Sequence, residues 1–238
     1  MVCAFLSPSE EEPMTLQVAL EATDGFLIAS DRKASRGMRG IESPKAVRTH
    51  IRGASSDICK ILMSPNQRFV CAFSGDDLSQ VWADKLLESC PETFASDAEV
   101  RAFLKQTIQA LIPQSNYPEN QQVIAGVVAH GVSPLWRVNY YANEVIVQST
   151  SKISGGDLSN PAAYLVERFY EPLTVSDLLP LAAHFIVEGR SFSTLIGGLD
   201  ILLVENGKPA RFLGPDEIEK LENRSEEIHA AIIRLLAS

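Results

Sequence analysis

Histidines 50, 130, 184 and 229 and cysteines 3, 59, 71 and 90 are the side chains that most often ligate metals or act as nucleophiles and bases. Their spacing forms no chemical pattern. There is no C-x-x-C pair, and no histidine stands at metal-ligand spacing from a cysteine, so neither a zinc site nor a disulfide framework is indicated. The motifs G-x-x-x-x-G-K-[ST], G-x-S-x-G, H-E-x-x-H and G-x-G-x-x-G are all missing. His184 falls inside an apolar helical pattern and reads as a packed or surface residue rather than a catalytic one. No metal and no cofactor is expected.

The elements that any site must rest on are legible from periodicity. Leu16 to Asp31 reads as two strands around Thr23-Asp24-Gly25, since Asp-Gly is a strong hairpin signal. Residues 36–56 are basic and without apolar period, which predicts a loop before a strand from Ile58 to Met63. Pro65-Asn66 turns the chain into Phe69 to Phe73, a continuous apolar run that predicts burial on both faces, and Gly75 ends it. Leu78, Val81, Trp82 and Leu86 recur at helical spacing, and Ser96-x-x-Glu99 is a capping box for a second helix bearing Val100, Phe103, Leu104, Ile108 and Leu111. Strands follow at Gln122 to His130, Leu135 to Tyr141 and Glu144 to Thr150, then helices at 159–170 and about 175–188, the latter containing Pro180. Leu199 to Glu205 and Ala210 to Leu213 read as strands around Asn206-Gly207, and Pro215 opens a last helix.

Runs of strands separated by helix pairs do not match the β-α alternation of a parallel sheet. The order predicts an α+β fold, one domain built as a four-layer αββα sandwich of two antiparallel sheets. With 238 residues, 45% of them hydrophobic, the chain is long enough to bury such a core. A net charge of -9 argues against nucleic acid, which is bound by neutralising phosphates with Lys and Arg. No apolar run reaches the roughly 18 residues a membrane span needs, and the acidic start, Glu10 to Glu12, is unlike a signal peptide. The expected setting is the cytoplasm, where unpaired cysteines stay reduced.

The stretch Met14 to Ser35, with a threonine, a strand, a D-G turn, a second strand and an A-x-D-x-x-A-[ST] ending, resembles the opening of proteasome β-type subunits, members of the N-terminal-nucleophile (Ntn) hydrolases. Further likeness follows in the same order. Ile58-Cys-Lys-Ile-Leu62 resembles the family's lysine-bearing strand, and Val70-Cys-Ala-Phe-Ser-Gly75 the strand that leads to its oxyanion-hole glycine. Ile153-Ser-Gly-Gly156 is similar to its glycine-serine turn, and Ile196 to Leu203 to its Gly-Gly strand. Three positions depart from the pattern: Ser193 and Ile196 stand where a carboxylate and a serine are usual, and Ser154 precedes two glycines rather than lying between them.

The resemblance implies a threonine protease, with Thr15 as nucleophile, Lys60 beside its hydroxyl, Asp31 pairing with Lys60, and the Gly75 amide as oxyanion donor. Phe73 would border the substrate pocket and favour apolar side chains. Taken singly the same residues have ordinary readings: Thr15 as a β-former, Asp31 as a strand-end turn residue, Lys60 as a solvated strand lysine. In the family the threonine's own α-amine is the base, which requires threonine to be the first residue. Residues 1–14 therefore read as an extension or propeptide ahead of a domain at 15–238, and Met14-Thr15 also fits a translation start at Met14 with removal of that methionine. The implied partners are a peptide or protein substrate, further copies of the chain in a ring or related homo-oligomer, and an ATPase. The competing expectations are a non-catalytic scaffold subunit and an Ntn amidase or transpeptidase acting on a small substrate.

Overall fold

In a computed structural model the described residues are 15–33, 58–74, 77–112, 121–141, 144–156 and 158–236. The expected extension 1–14, the basic segment 36–56 and Gly75 lie outside them. The chain opens with β1 (Leu16–Ala22) and β2 (Gly25–Ser30), joined at Thr23-Asp24. Gly25 has φ +154°, and a Cβ there would lie 2.0 Å from Val204 O, so the glycine serves a close approach of the neighbouring strand as well as the turn. The turn is also anchored: Asp24 Oδ1 accepts from Val175 N at 2.8 Å.

Strands β3 (Ile61–Met63) and β4 (Phe69–Ser74) follow, then helices α1 (Asp77–Ser89) and α2 (Asp97–Gln109). Ser96 caps α2 by accepting from Glu99 N at 3.3 Å, while Glu99 Oε2 accepts from Ala95 N at 2.8 Å, one residue outside the usual box. The middle of the chain supplies β5 (Gln121–Val127), β6 (Leu135–Tyr141), β7 (Glu144–Ser149) and β8 (Lys152–Gly156). Two helices, α3 (Ala163–Phe169) and α4 (Val175–Phe192), precede β9 (Asp200–Glu205), β10 (Arg211–Phe212) and α5 (Pro215–Leu236). Pro180 lies inside α4 without ending it.

Among the described residues two antiparallel five-stranded sheets result, in the orders β10-β9-β2-β1-β8 and β3-β4-β5-β6-β7. Strand alternation sorts their side chains into three cores. Ala19, Ile28, Ile153 and Leu202 from the first sheet meet Ile61, Val70, Ala72 and Ile124 from the second. Leu16, Val18 and Leu20 point the other way, onto Val166 of α3 and Ala182, Phe185 and Ile186 of α4, with Ile218 and Leu221 of α5 at the margin. Phe69, Cys71 and Phe73 point away from the first sheet, onto Trp82 and Leu86 of α1 and Val100, Leu104 and Ile108 of α2. The architecture is α+β, with helices outside each of two facing sheets, and this double cover explains why β1, β4 and β5 are buried on both faces.

The segment 153–156, similar in sequence to a glycine-serine turn, lies instead in β8, an edge strand. It pairs with β1 from Leu20↔Lys152 to Leu16↔Gly156. Its two terminal glycines bring it under Thr15, as the site geometry makes clear.

Candidate active site

Three segments distant in sequence converge at the open end of β1. The β1–β2 ladder places Ser30 opposite Gln17, so the next step sets Asp31 opposite Leu16 and beside Thr15. That register follows from the two-residue turn, and it fixes the sixteen-residue interval between Thr15 and Asp31. Lys60 is held from the other sheet: Phe73 N donates to Lys60 O at 3.2 Å, extending the β3–β4 pairing by one residue.

Lys60 Nζ donates to Thr15 Oγ1 at 3.0 Å and to Asp31 Oδ1 at 2.8 Å. The Lys60 and Asp31 side chains have no exposed surface, and Thr15 is 1% exposed. Asp31 is satisfied further: Oδ1 accepts from Leu16 N at 3.0 Å and Oδ2 from Lys33 N at 3.1 Å. Burial pushes the Asp31 carboxyl up and the Lys60 ammonium down from their ordinary values, while their mutual attraction opposes both shifts. A lysine so placed is poised beside a hydroxyl with a weakened hold on its proton and a carboxylate to keep it oriented. The arrangement suits activation of that hydroxyl or stabilisation of its alkoxide.

Phe73 is 1% exposed, and its ring lies in the core beneath α1 and α2. What Phe73 turns toward the first sheet is its carbonyl, which accepts from Gln17 Nε2 at 2.6 Å. Cys59 adjoins Lys60, but burial and then the nearby Asp200 carboxylate push its thiol up to about 12, which favours the neutral thiol. Ser193 accepts from Leu195 N at 3.1 Å, and Ile196 belongs to the core under α4. Ser154 is paired with Val18 and so faces the helical layer, away from Thr15. His184 packs between α4 and α5, with Nδ1 2.6 Å from Ser225 Oγ.

Two polar residues at the site escape motif reasoning. Gln17 and Gln122 are buried between the sheets. Besides Phe73 O, Gln17 Nε2 reaches Ser30 Oγ at 3.3 Å. Gln122 Oε1 accepts from Gly156 N at 3.1 Å and from Ser74 Oγ at 3.4 Å. The signal that could have found Gln17 is its polar side chain at an inward-facing position of an otherwise apolar strand.

No family model matches the chain, and no curated protein matches it. Solved structures do. Anbu, the ancestral beta-subunit, from Yersinia bercovieri superposes with a TM-score of 0.66 at 16% identity, covering 92% of this chain and 97% of that one. Anbu in its helical assembly from Pseudomonas aeruginosa gives 0.67 at 17% identity, covering 93% and 95%. A mutant of Anbu from Hyphomicrobium sp. strain MC1 gives 0.65 at 14%, covering 94% and 100%. These findings correct the sequence resemblance to proteasome β-type subunits, because these three structures belong to Anbu, a distinct family. At such identities the likeness is one of fold, extending over nearly the whole of both chains.

Proposed function

We propose that residues 15–238 form a threonine-nucleophile peptidase that acts once Thr15 carries a free α-amine. The observation that carries the reading is the fully buried contact of Lys60 with Thr15 Oγ1 at 3.0 Å and Asp31 at 2.8 Å. In this reading the α-amine takes the hydroxyl proton as Thr15 Oγ1 attacks the scissile carbonyl carbon. Lys60 offsets the growing charge on Oγ1, Asp31 holds Lys60, and the Gly75 amide donates to the tetrahedral oxyanion. Collapse breaks the C–N bond, the amine product leaves with the proton, and water then hydrolyses the Thr15 ester. The cycle uses no cofactor and no metal.

Removal of residues 1–14 is part of the proposal, since an acylated Thr15 nitrogen cannot serve as the base. Self-assembly into a homo-oligomer is included as well, supported by the helical assembly of the Pseudomonas aeruginosa Anbu. A cytoplasmic setting and an ATPase partner belong to the same reading; among the described residues, no helix is long and apolar enough to cross a membrane. A second reading, a chain that keeps its extension and serves only as scaffold, draws on the near-complete burial of Thr15.

The test is hydrolysis of fluorogenic peptides by a chain beginning at Thr15, beside Thr15→Ala and Lys60→Ala. Loss of about 10²-fold or more in each variant is expected. Equal turnover by all three chains would overturn the peptidase reading, and activity only in a chain that retains Met1 would overturn the processing step.

A further inference from the structure

The first sheet carries Thr15, and the second carries Lys60 and the strand that runs into Gly75. Any reaction that needs all three requires the gap between the sheets to be held constant at that end. Apolar contacts such as Ala19, Ile28, Ile61 and Ala72 fill the gap further in, but they are non-directional and tolerate sliding. Hydrogen bonds across the gap would not.

Two amides make such bonds, one from each sheet. Gln17, on β1, sends Nε2 across to Phe73 O on β4 at 2.6 Å. Gln122, on β5, receives Gly156 N from β8 at 3.1 Å and, on its own sheet, Ser74 Oγ at 3.4 Å. Phe73 and Ser74 are the last two residues of β4 before Gly75. Gly156 is paired with Leu16, and a Cβ on it would fall 1.8 Å from Thr15 O, so its backbone lies directly against the nucleophile's own. The room for Gln122 is also specific: a Cβ on Gly155 would fall 2.5 Å from Gln122 Oε1.

Gln17 is costly where it stands. It has no exposed surface, and its Oε1 is without a hydrogen-bond partner among the described residues. An apolar side chain of the same length would avoid that desolvation, so its donor is what the position gains.

We infer that Gln17 and Gln122 are positioning residues that lock the strand bearing Thr15 to the end of the strand bearing Phe73 and Ser74 by reciprocal amide bridges across the two sheets. This rests on the peptidase reading for its catalytic consequence, though not for the bridge itself. The two amides form two routes between the same ends: from β4 through Gln17 along β1 to Thr15, and from Ser74 through Gln122 and Gly156 to Thr15. Nucleophile and oxyanion donor must keep sub-ångström placement, and small displacements there are expensive in rate rather than in binding.

The experiment uses the chain beginning at Thr15, with Gln17→Met, Gln122→Met and Gln122→Glu. Methionine keeps the length and removes the polar contacts, whereas glutamate keeps an acceptor for Gly156 N and Ser74 Oγ. Peptide turnover and amide hydrogen exchange at Gly156 and Leu16 are both read. Each methionine variant is expected to lose about 10-fold or more in kcat with KM within about 2-fold. Exchange at Gly156 should rise by up to about 10-fold in Gln122→Met and stay slow in Gln122→Glu, which also recovers most of kcat. Wild-type kcat in both methionine variants, or Gly156 exchange indifferent to Gln122→Met, would overturn the inference. If the unsubstituted chain hydrolyses nothing, the peptidase reading fails and the exchange result alone decides the bridge: Met-sensitive and Glu-rescued protection upholds it, and insensitivity overturns it.

Discussion

Asp31 and Leu16 bind each other in both directions: Asp31 N donates to Leu16 O at 3.0 Å, and Leu16 N donates to Asp31 Oδ1 at 3.0 Å. The carboxylate is thereby fixed by the backbone of the residue that follows Thr15, before Lys60 is considered. Lys60 then meets a side-chain acceptor already held in place by a backbone N–H.

Breaking the buried pair from one side should therefore cost more than removing both charges. Asp31→Asn or Lys60→Met alone is expected to lower unfolding stability by about 3–5 kcal/mol, because each strands a charge in the interior. The double variant should recover much of that loss. Urea unfolding midpoints of the three chains decide it, and additive losses in the double variant would contradict the burial argument.

Gly156 should tolerate no side chain. Its φ of +83° is unfavourable for alanine, and the added Cβ would meet Thr15 O at 1.8 Å. Gly131 is a control with φ +74° and nothing within 4 Å. Gly131→Ala is expected to cost about 1 kcal/mol from backbone strain alone, whereas Gly156→Ala should cost clearly more and abolish turnover. Comparable thermal midpoints for the two variants would show that the close approach is not restrictive.

Cys59 should be inert although it neighbours Lys60. With its thiol pushed up to about 12, only about one molecule in 10⁴ carries a thiolate at pH 8. Iodoacetamide at pH 7.5 should leave it unmodified in the folded chain, and Cys59→Ser should keep peptide turnover. Rapid native-state alkylation mapped to Cys59 by peptide mass would refute this.

The docking of α5 on α4 should weaken on acidification. Burial lowers the His184 pKa; Glu188 opposes the shift and His229, on α5, adds to it. His184 Nδ1 lies 2.6 Å from Ser225 Oγ, and Glu188 Oε1 lies 2.8 Å from His229 Nδ1. A histidine whose folded pKa is depressed binds protons more readily when unfolded, so stability is lost as pH falls through the ordinary histidine value of about 6.5. Stability should drop between pH 7.5 and 5.5, and His184→Gln should flatten that part of the profile. An unchanged slope in the variant would assign the pH dependence elsewhere.

Much of this architecture is legible in local pattern because local and tertiary preferences agree. Asp24-Gly25 sets the β1–β2 register, and that register alone delivers Asp31 to Leu16. Disagreement arises where long-range contacts overrule local preference. Ser154-Gly155-Gly156 has poor strand propensity, yet it is held as an edge by β1 and Gln122. The helix expected at 159–170 begins only at Ala163, since Asn160 Oδ1 accepts from Ala162 N at 3.0 Å and forms a turn first. Helix α4 runs on through Gly189, where a Cβ would meet Leu16 Cδ2 at 2.2 Å; that glycine admits β1 rather than ending the helix. Within the site, the Thr15, Lys60 and Asp31 cluster could be anticipated by resemblance. Gln17 and Gln122 belong to no motif and have meaning only once the sheets face one another.

Thr15, Asp31 and Lys60 come from three segments and two sheets, so they meet only once the two sheets face one another. A nascent or half-folded molecule holds an ordinary threonine, an ordinary lysine and an ordinary aspartate, each hydrated. In the proposed peptidase, reactivity would thus arise only on completion of the tertiary structure, and incomplete chains would be harmless to their neighbours.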